Sequence, residues 1–105
     1  MNYRVAFMEE AEKDLDGIEE YLSQFYESTV RNFFSELKQK VAVLEAMPYI
    51  YPAYEQDTFF RRMVFRDYLI FYNVDDKRKI VVVHRIFHSA RDISRHLLSQ
   101  RSHGN

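Results

Sequence analysis

The sequence predicts an α+β domain, and three observations predict it. A weakly alternating N-terminal stretch gives way at Glu9 to apolar residues three and four apart, the helical period, which runs to about Met47. Beyond residue 58 come runs of β-branched and aromatic residues, Phe59 to Phe65, Tyr68 to Val74 and Ile80 to Phe87, separated by polar breaks. The third observation is size: 105 residues, 47% hydrophobic and 16% aromatic, suffice for one core and not for two. The predicted order is β-α-α-β-β-β-α, a single domain over residues 1–105. Its helical hairpin lies on one face of a mostly antiparallel sheet, and a short C-terminal helix precedes a tail that frays from about residue 100.

Element by element, Asn2 to Met8 reads as a strand, with Tyr3, Val5 and Phe7 alternating with Arg4 and Ala6. In the first helix Ala11, Leu15, Ile18, Leu22 and Phe25 form one stripe, and the acids Glu9, Glu10, Glu12, Asp14, Asp16, Glu19 and Glu20 are assigned mostly to solvent. Gly17 weakens that helix, and close packing against a neighbour is one reason to keep it. Ser28 is the expected N-cap of a second helix with the stripe Val30, Phe33, Phe34, Leu37, Val41 and Leu44, and Pro48 lies just past its end.

Pro48 to Thr58 is the longest irregular segment; its Tyr49, Tyr51 and Tyr54 either clamp the loop down or offer stacking surfaces. The three β runs then form a meander turning at Arg66-Asp67 and at Asp75 to Lys79. Phe33, Leu37, Val41, Leu44, Ile70, Tyr72, Val81 and Val83 are the expected core. Ser89 or Asp92 caps the final helix, which carries Ile93, Leu97 and Leu98, and their spacing is that of a capping box.

Charge is unevenly distributed. The formal net charge of -1 is the sum of a first part, residues 1–58, at -7 and a second part, residues 59–105, at +6 that also holds all four histidines. Such a bipolar domain has a basic side suited to a polyanion or an acidic partner, or to discouraging aggregation at a sheet edge. Without cysteines there is neither a disulfide nor a thiolate metal site. The N-terminus turns charged at Glu9 and holds no long apolar run, so neither a signal peptide nor a membrane span is expected, and cytoplasmic placement follows by default.

Most enzyme chemistries lack their residues here. His84 and His88, four apart on a strand, would stand about 13 Å from each other, which is no metal spacing. With Gly17 and Gly104 as the only glycines there is no phosphate loop, and no serine elbow is present. No cofactor is expected. What remains is arginine with histidine: Arg61, Arg62, Arg85, His88 and Arg91. Arginine holds phosphate by paired charge-assisted hydrogen bonds and histidine transfers protons near neutral pH, a kit for phosphodiester cleavage or for binding an acidic protein. Strict alternation sends Arg85 and His88 to opposite faces, so a joint site requires the strand to break by about Phe87. In the alternative, structural reading, His88 bonds backbone at the strand-to-helix corner and Arg91 pairs with Asp92 or with an acid of the first helix.

The segments YRVAFMEEAEKDL, LEAMP, RRMVFRDYLIFYNVD and VVHRIFHSARD, in that order and spacing, resemble the RelE/ParE superfamily of small bacterial toxins, over residues 2 to about 98. The resemblance implies a toxin encoded beside an antitoxin that binds and neutralises it. RelE-like members cut messenger RNA on the ribosome, and ParE-like members poison DNA gyrase without being nucleases. YLIFYNVD and RIFHSARD look more like the ParE side. RelE-like members carry an arginine after the tyrosine that opens the middle strand, where this chain has Leu69 after Tyr68. They also carry lysines between the second helix and the next strand, and Tyr49 to Phe60 contains none. The expected activity is gyrase inhibition. The alternatives are a ribonuclease using Arg61 or Arg62, Arg85, His88 and Arg91, and a non-toxic binding domain that keeps the fold. Arg66, Arg91 and Arg95 are the expected contacts to target or antitoxin, the latter presenting an acidic or amphipathic segment to the basic half.

Overall fold

The computed structural model describes residues 2–88. The elements are β1 (Arg4–Phe7), α1 (Glu9–Leu22), α2 (Glu27–Ala46), β2 (Arg61–Phe65), β3 (Tyr68–Asp75) and β4 (Ile80–Phe87). The expected final helix, its cap at Ser89 or Asp92 and the frayed tail lie outside the described residues. The strands form one mixed sheet in the order β1-β4-β3-β2, with β1 parallel to β4 and the meander β2-β3-β4 antiparallel. This is the predicted α+β architecture.

The helical stripes do the burying. Ala11 and Ile18 of α1 and Phe33, Leu37 and Leu44 of α2 join Met63, Phe65, Tyr68, Ile70, Tyr72, Val81, Val83 and Ile86 in one cluster on a single face of the sheet. Of the predicted core residues only Val41 is partly rather than fully buried. Fully burying a side chain of this size contributes about 1.5–3 kcal/mol, so this face supplies most of the apolar driving force. Tyr72 is buried with its hydroxyl satisfied, donating to the Pro48 carbonyl at 2.8 Å and tying the end of α2 to the middle of the sheet.

Several local expectations change. α1 ends at Leu22, where the Ser23 N–H closes on the Glu19 carbonyl, so Phe25 falls outside the helix and is 56% exposed. Ser28 is not the N-cap of α2: the extended residue at that position is Tyr26, and the Thr29 N–H bonds the Tyr26 carbonyl, which places Ser28 inside the first turn. The first of the three β runs enters the sheet at Arg61 and not at Phe59. Residues 54–60 instead close on themselves, Tyr54 N–H to the Phe60 carbonyl and Phe60 N–H to the Asp57 carbonyl, because this compact turn swings Tyr54 and Phe60 onto the sheet face away from the helices. There they bury Phe71, with Leu69 and Phe87 alongside, as a second and smaller apolar cluster. The loop tyrosine Tyr54 is therefore a clamp.

The β3–β4 register shifts between Phe71 and Tyr72, whose partners are Arg85 and Val83, and His84 is the extra residue of the bulge. Past it the facing reverses: Val81, Val83 and Ile86 all reach the helix-side cluster, while Phe87 joins the other. Strand β1 covers only Ile80 to Val83 of β4, so among the described residues the edge of β4 beyond Val83 has no strand partner.

Candidate functional site

That uncovered edge is closed by a side chain. Asp14 of α1 accepts the Ile86 backbone N–H at 2.9 Å and is held by Arg85 through Nε at 2.8 Å and Nη2 at 3.0 Å. Both side chains are less than one-fifth exposed, 18% for Arg85 and 16% for Asp14. The Arg85 guanidinium also lies 4.5 Å from the centroid of the Phe87 ring. A guanidinium in a two-point pair with a carboxylate, stacked on a ring, has two of its five N–H donors and much of its charge engaged. Asp14 is among the acids expected mostly at solvent, but it follows Ala11 by three residues and precedes Ile18 by four, so the stripe itself marks it as inward-facing. Among the described residues, the arginine paired with an acid of the first helix is Arg85, a residue expected in the catalytic set.

Arg62 stands in the same cross-strand row as Arg85, with Phe71 between them, so the two arginines are separated by two strand spacings, roughly 10 Å. Arg62 is exposed, with its guanidinium 5.8 Å from the centroid of Tyr54. On the bulge, His84 shares a hydrogen bond of 2.6 Å with Asn73 and packs edge-on to Phe59 and Phe60.

Arg61 belongs to a different locus. Its Nη1 donates to the Tyr51 carbonyl at 2.7 Å, and its guanidinium stacks 4.7 Å above the Tyr49 ring. Tyr49 donates its hydroxyl to Asp76 in the β3–β4 turn, and Tyr3 donates to the other oxygen of the same carboxylate at 2.6 Å. The hydrogen bond to Asp76 pushes the Tyr49 hydroxyl up to about 12, and the Tyr3 and Tyr49 hydroxyls hold Asp76 below its ordinary range. This lock joins the N-terminus, the loop after α2 and the β3–β4 turn, and nothing in the sequence order of its members signals it.

Arg66, in the β2–β3 turn, has the left-handed φ of 55° and pairs with Glu36 of α2 at 2.9 Å while lying near the rings of Phe33 and Phe65. It straps the turn to the helix, with a partly exposed side chain. Arg91 and Arg95 lie outside the described residues.

His88 follows the last residue of β4, so the strand breaks where a joint site with Arg85 required it to break. Its ring lies edge-on to Tyr68 at 5.1 Å. It lines a cleft of about 540 Å³ between α1 and the end of β4, together with Asp14, Gly17, Ile18, Tyr21 and Ile86. A methyl group on Gly17 meets nothing within 4 Å among the described residues, so none of them packs closely enough to account for the glycine.

The sequence-predicted arginines among the described residues thus divide among three places: Arg62 with Arg85 across one sheet face, Arg61 on the tyrosine lock, and Arg66 on α2. No cluster of three or more metal-ligating side chains occurs among the described residues, and no described helix is long and apolar enough to cross a membrane. As arranged, the surface offers basic and aromatic contacts to a partner. Among the described residues, the arginines do not converge on one point where a scissile phosphate could sit.

A family model described as the ParE toxin of the type II toxin-antitoxin system parDE matches residues 5–93. No curated protein matches the sequence. Among solved structures, the chain is similar to the chromosomal ParDE system of P. aeruginosa, at TM-score 0.68 and 14% identity over 83% of this chain and 96% of that one. A free, doubly substituted RelE toxin of E. coli matches at TM-score 0.66 and 18% identity, over 96% and 98% of the two chains. The RelBE2 toxin-antitoxin complex of Mycobacterium tuberculosis matches at TM-score 0.61 and 19% identity, over 84% and 99%.

Proposed function

From its membership of the ParE toxin family of type II toxin-antitoxin systems, we propose that this chain arrests growth in the cytoplasm by engaging DNA gyrase through protein contacts. One observation carries the preference over RNA cleavage: Arg85, which a nuclease would need on the scissile phosphate, is closed in a two-point pair with Asp14. An arginine so neutralised stabilises little additional negative charge. Arg61 is likewise engaged by the Tyr51 carbonyl and the Tyr49 ring. Two features of the sequence support the same reading, Leu69 after Tyr68 and the absence of lysine from Tyr49 to Phe60.

The partner that restrains such a toxin is a cognate antitoxin. The ParDE system and the RelBE2 complex, both similar to this chain in fold, pair a toxin with an antitoxin. Charge supplies the location: the half carrying +6 suits an acidic or amphipathic antitoxin segment, and Arg66, with Arg91 and Arg95 on the following segment, is its expected contact.

A ribonuclease reading is favoured by one feature, the exposed His88 at the end of β4 beside the cleft. Primer extension on messenger RNA after induction separates the two. The gyrase reading expects no codon-position cuts, and cuts that vanish in His88→Ala and Arg62→Ala variants would replace it.

A further inference from the structure

The tip of the helical hairpin carries a surface that neither the core nor the toxin reading uses. Tyr21, Phe25 and Tyr26 stand there 53%, 56% and 80% exposed, with the rings of Tyr21 and Phe25 edge-on at 5.5 Å. Links between antiparallel helices need only a few polar residues to turn. This link instead places two aromatic rings in water, and large exposed aromatics grouped on one surface mark contact sites.

Charge at the tip selects the occupant. α1 has no basic residue in its last turn, where the helix dipole favours a cation; it has Glu19 and Glu20 close to that end instead. Glu27 opens α2 directly across the link, and a cleft of about 590 Å³ between the two helices is lined by Glu19, Ser23, Phe25, Glu27, Val30 and Arg31. Carboxylates, a helix C-terminus and open ring faces together form an environment for ammonium and guanidinium groups, which stack on aromatic faces while pairing with flanking acids. The same carboxylates repel RNA, DNA, an anionic membrane surface and an acidic antitoxin segment.

We propose that the hairpin tip is a docking surface for a lysine- and arginine-bearing segment of another protein, whose cations seat on Phe25 and Tyr26 between Glu19, Glu20 and Glu27. The proposed contacts lie within residues 19–27, outside the basic half of the sequence, and the proposal is independent of whether gyrase is the target.

The test is a titration of the isotope-labelled full chain with a synthetic peptide of alternating arginine and leucine, followed by nuclear magnetic resonance, with a glutamate-leucine peptide as counterpart. Shifts are expected to centre on residues 19–31 with the arginine peptide only. The Phe25→Ser/Tyr26→Ser pair removes no charge and is expected to weaken binding by about tenfold or more, as is Glu19→Lys/Glu20→Lys. Glu9→Lys/Glu10→Lys makes the same charge change at the other end of α1 and should leave affinity within about twofold. Equal weakening by the Glu9/Glu10 pair, unchanged binding by the aromatic pair, or shifts elsewhere would each overturn the proposal. So would tip shifts that grow with protein concentration in the absence of peptide, since they would make a second copy the occupant.

Discussion

Asp14 and Arg85 lie 71 positions apart in the chain and meet through two hydrogen bonds of 2.8 and 3.0 Å, with the Ile86 N–H adding a third to the same carboxylate. The contact puts a side chain on the edge of β4 beyond Val83, where no described strand pairs. Removing the carboxylate takes away two hydrogen bonds from a mostly buried guanidinium and the acceptor of the Ile86 N–H. Asp14→Ala should therefore cost about 2 to 4 kcal/mol, and Asp14→Asn less, since its amide oxygen still accepts the Ile86 N–H. Urea melts measure it, with a loss below about 0.5 kcal/mol contradicting the assignment.

Leu37 is 5% exposed within the helix-side cluster. Leu37→Ala should cost about 2 to 5 kcal/mol, the range for a truncation that leaves a cavity. A cost typical of surface positions would mean that α2 turns a different stripe to the sheet.

Gly17 bears on stability in the other direction. It sits in the middle of α1, and an added methyl group meets nothing within 4 Å among the described residues. Gly17→Ala should stabilise the fold by about 0.5 to 1 kcal/mol through helix propensity and the unfolded state. A drop in melting temperature would show that something packs there after all.

Alkaline pH should loosen the fold through two tyrosines. Tyr49 is held up to about 12 by its bond to Asp76, and Tyr72 to about 12 by burial. An unfolded tyrosine ionises near 10, so between about pH 10 and 12 the unfolded chain releases protons that the folded chain keeps. The stability these groups contribute is complete below about pH 10 and falls as pH rises toward 12. Asp76, depressed by Tyr3 and Tyr49, acts oppositely, its contribution being present above about pH 4 and lost as pH falls through its lowered folded value. Tyr49→Phe keeps a ring for Arg61 and should flatten both limbs of a stability-pH curve; unchanged slopes would remove the lock from the account.

Much of this architecture was legible in the residues because one-sided periodicity is a strong signal. The stripe of α2 from Phe33 to Leu44 and the alternation through β3 and β4 both point at the core they form. What escaped depends on contacts between distant segments. The second cluster needs Tyr54 and Phe60 to fold back over Phe71, and the tyrosine lock gathers residues 3, 49 and 76. The bulge at His84 changes which face the following residues take, so alternation alone misplaces them. Only Asp14 carried a local signal, its place on the apolar stripe of α1. For the candidate site, the sequence identified the arginines but not their partners, and the partners decide what those arginines are able to do.

The measurement that bears most directly on the proposed function is a DNA gyrase supercoiling assay with purified protein, read for cleaved DNA as well as topology. At saturating protein, loss of supercoiling and accumulation of cleaved DNA are expected, both reversed by the cognate antitoxin. Normal supercoiling with no cleaved DNA, from protein that is folded and arrests growth when expressed, would contradict it.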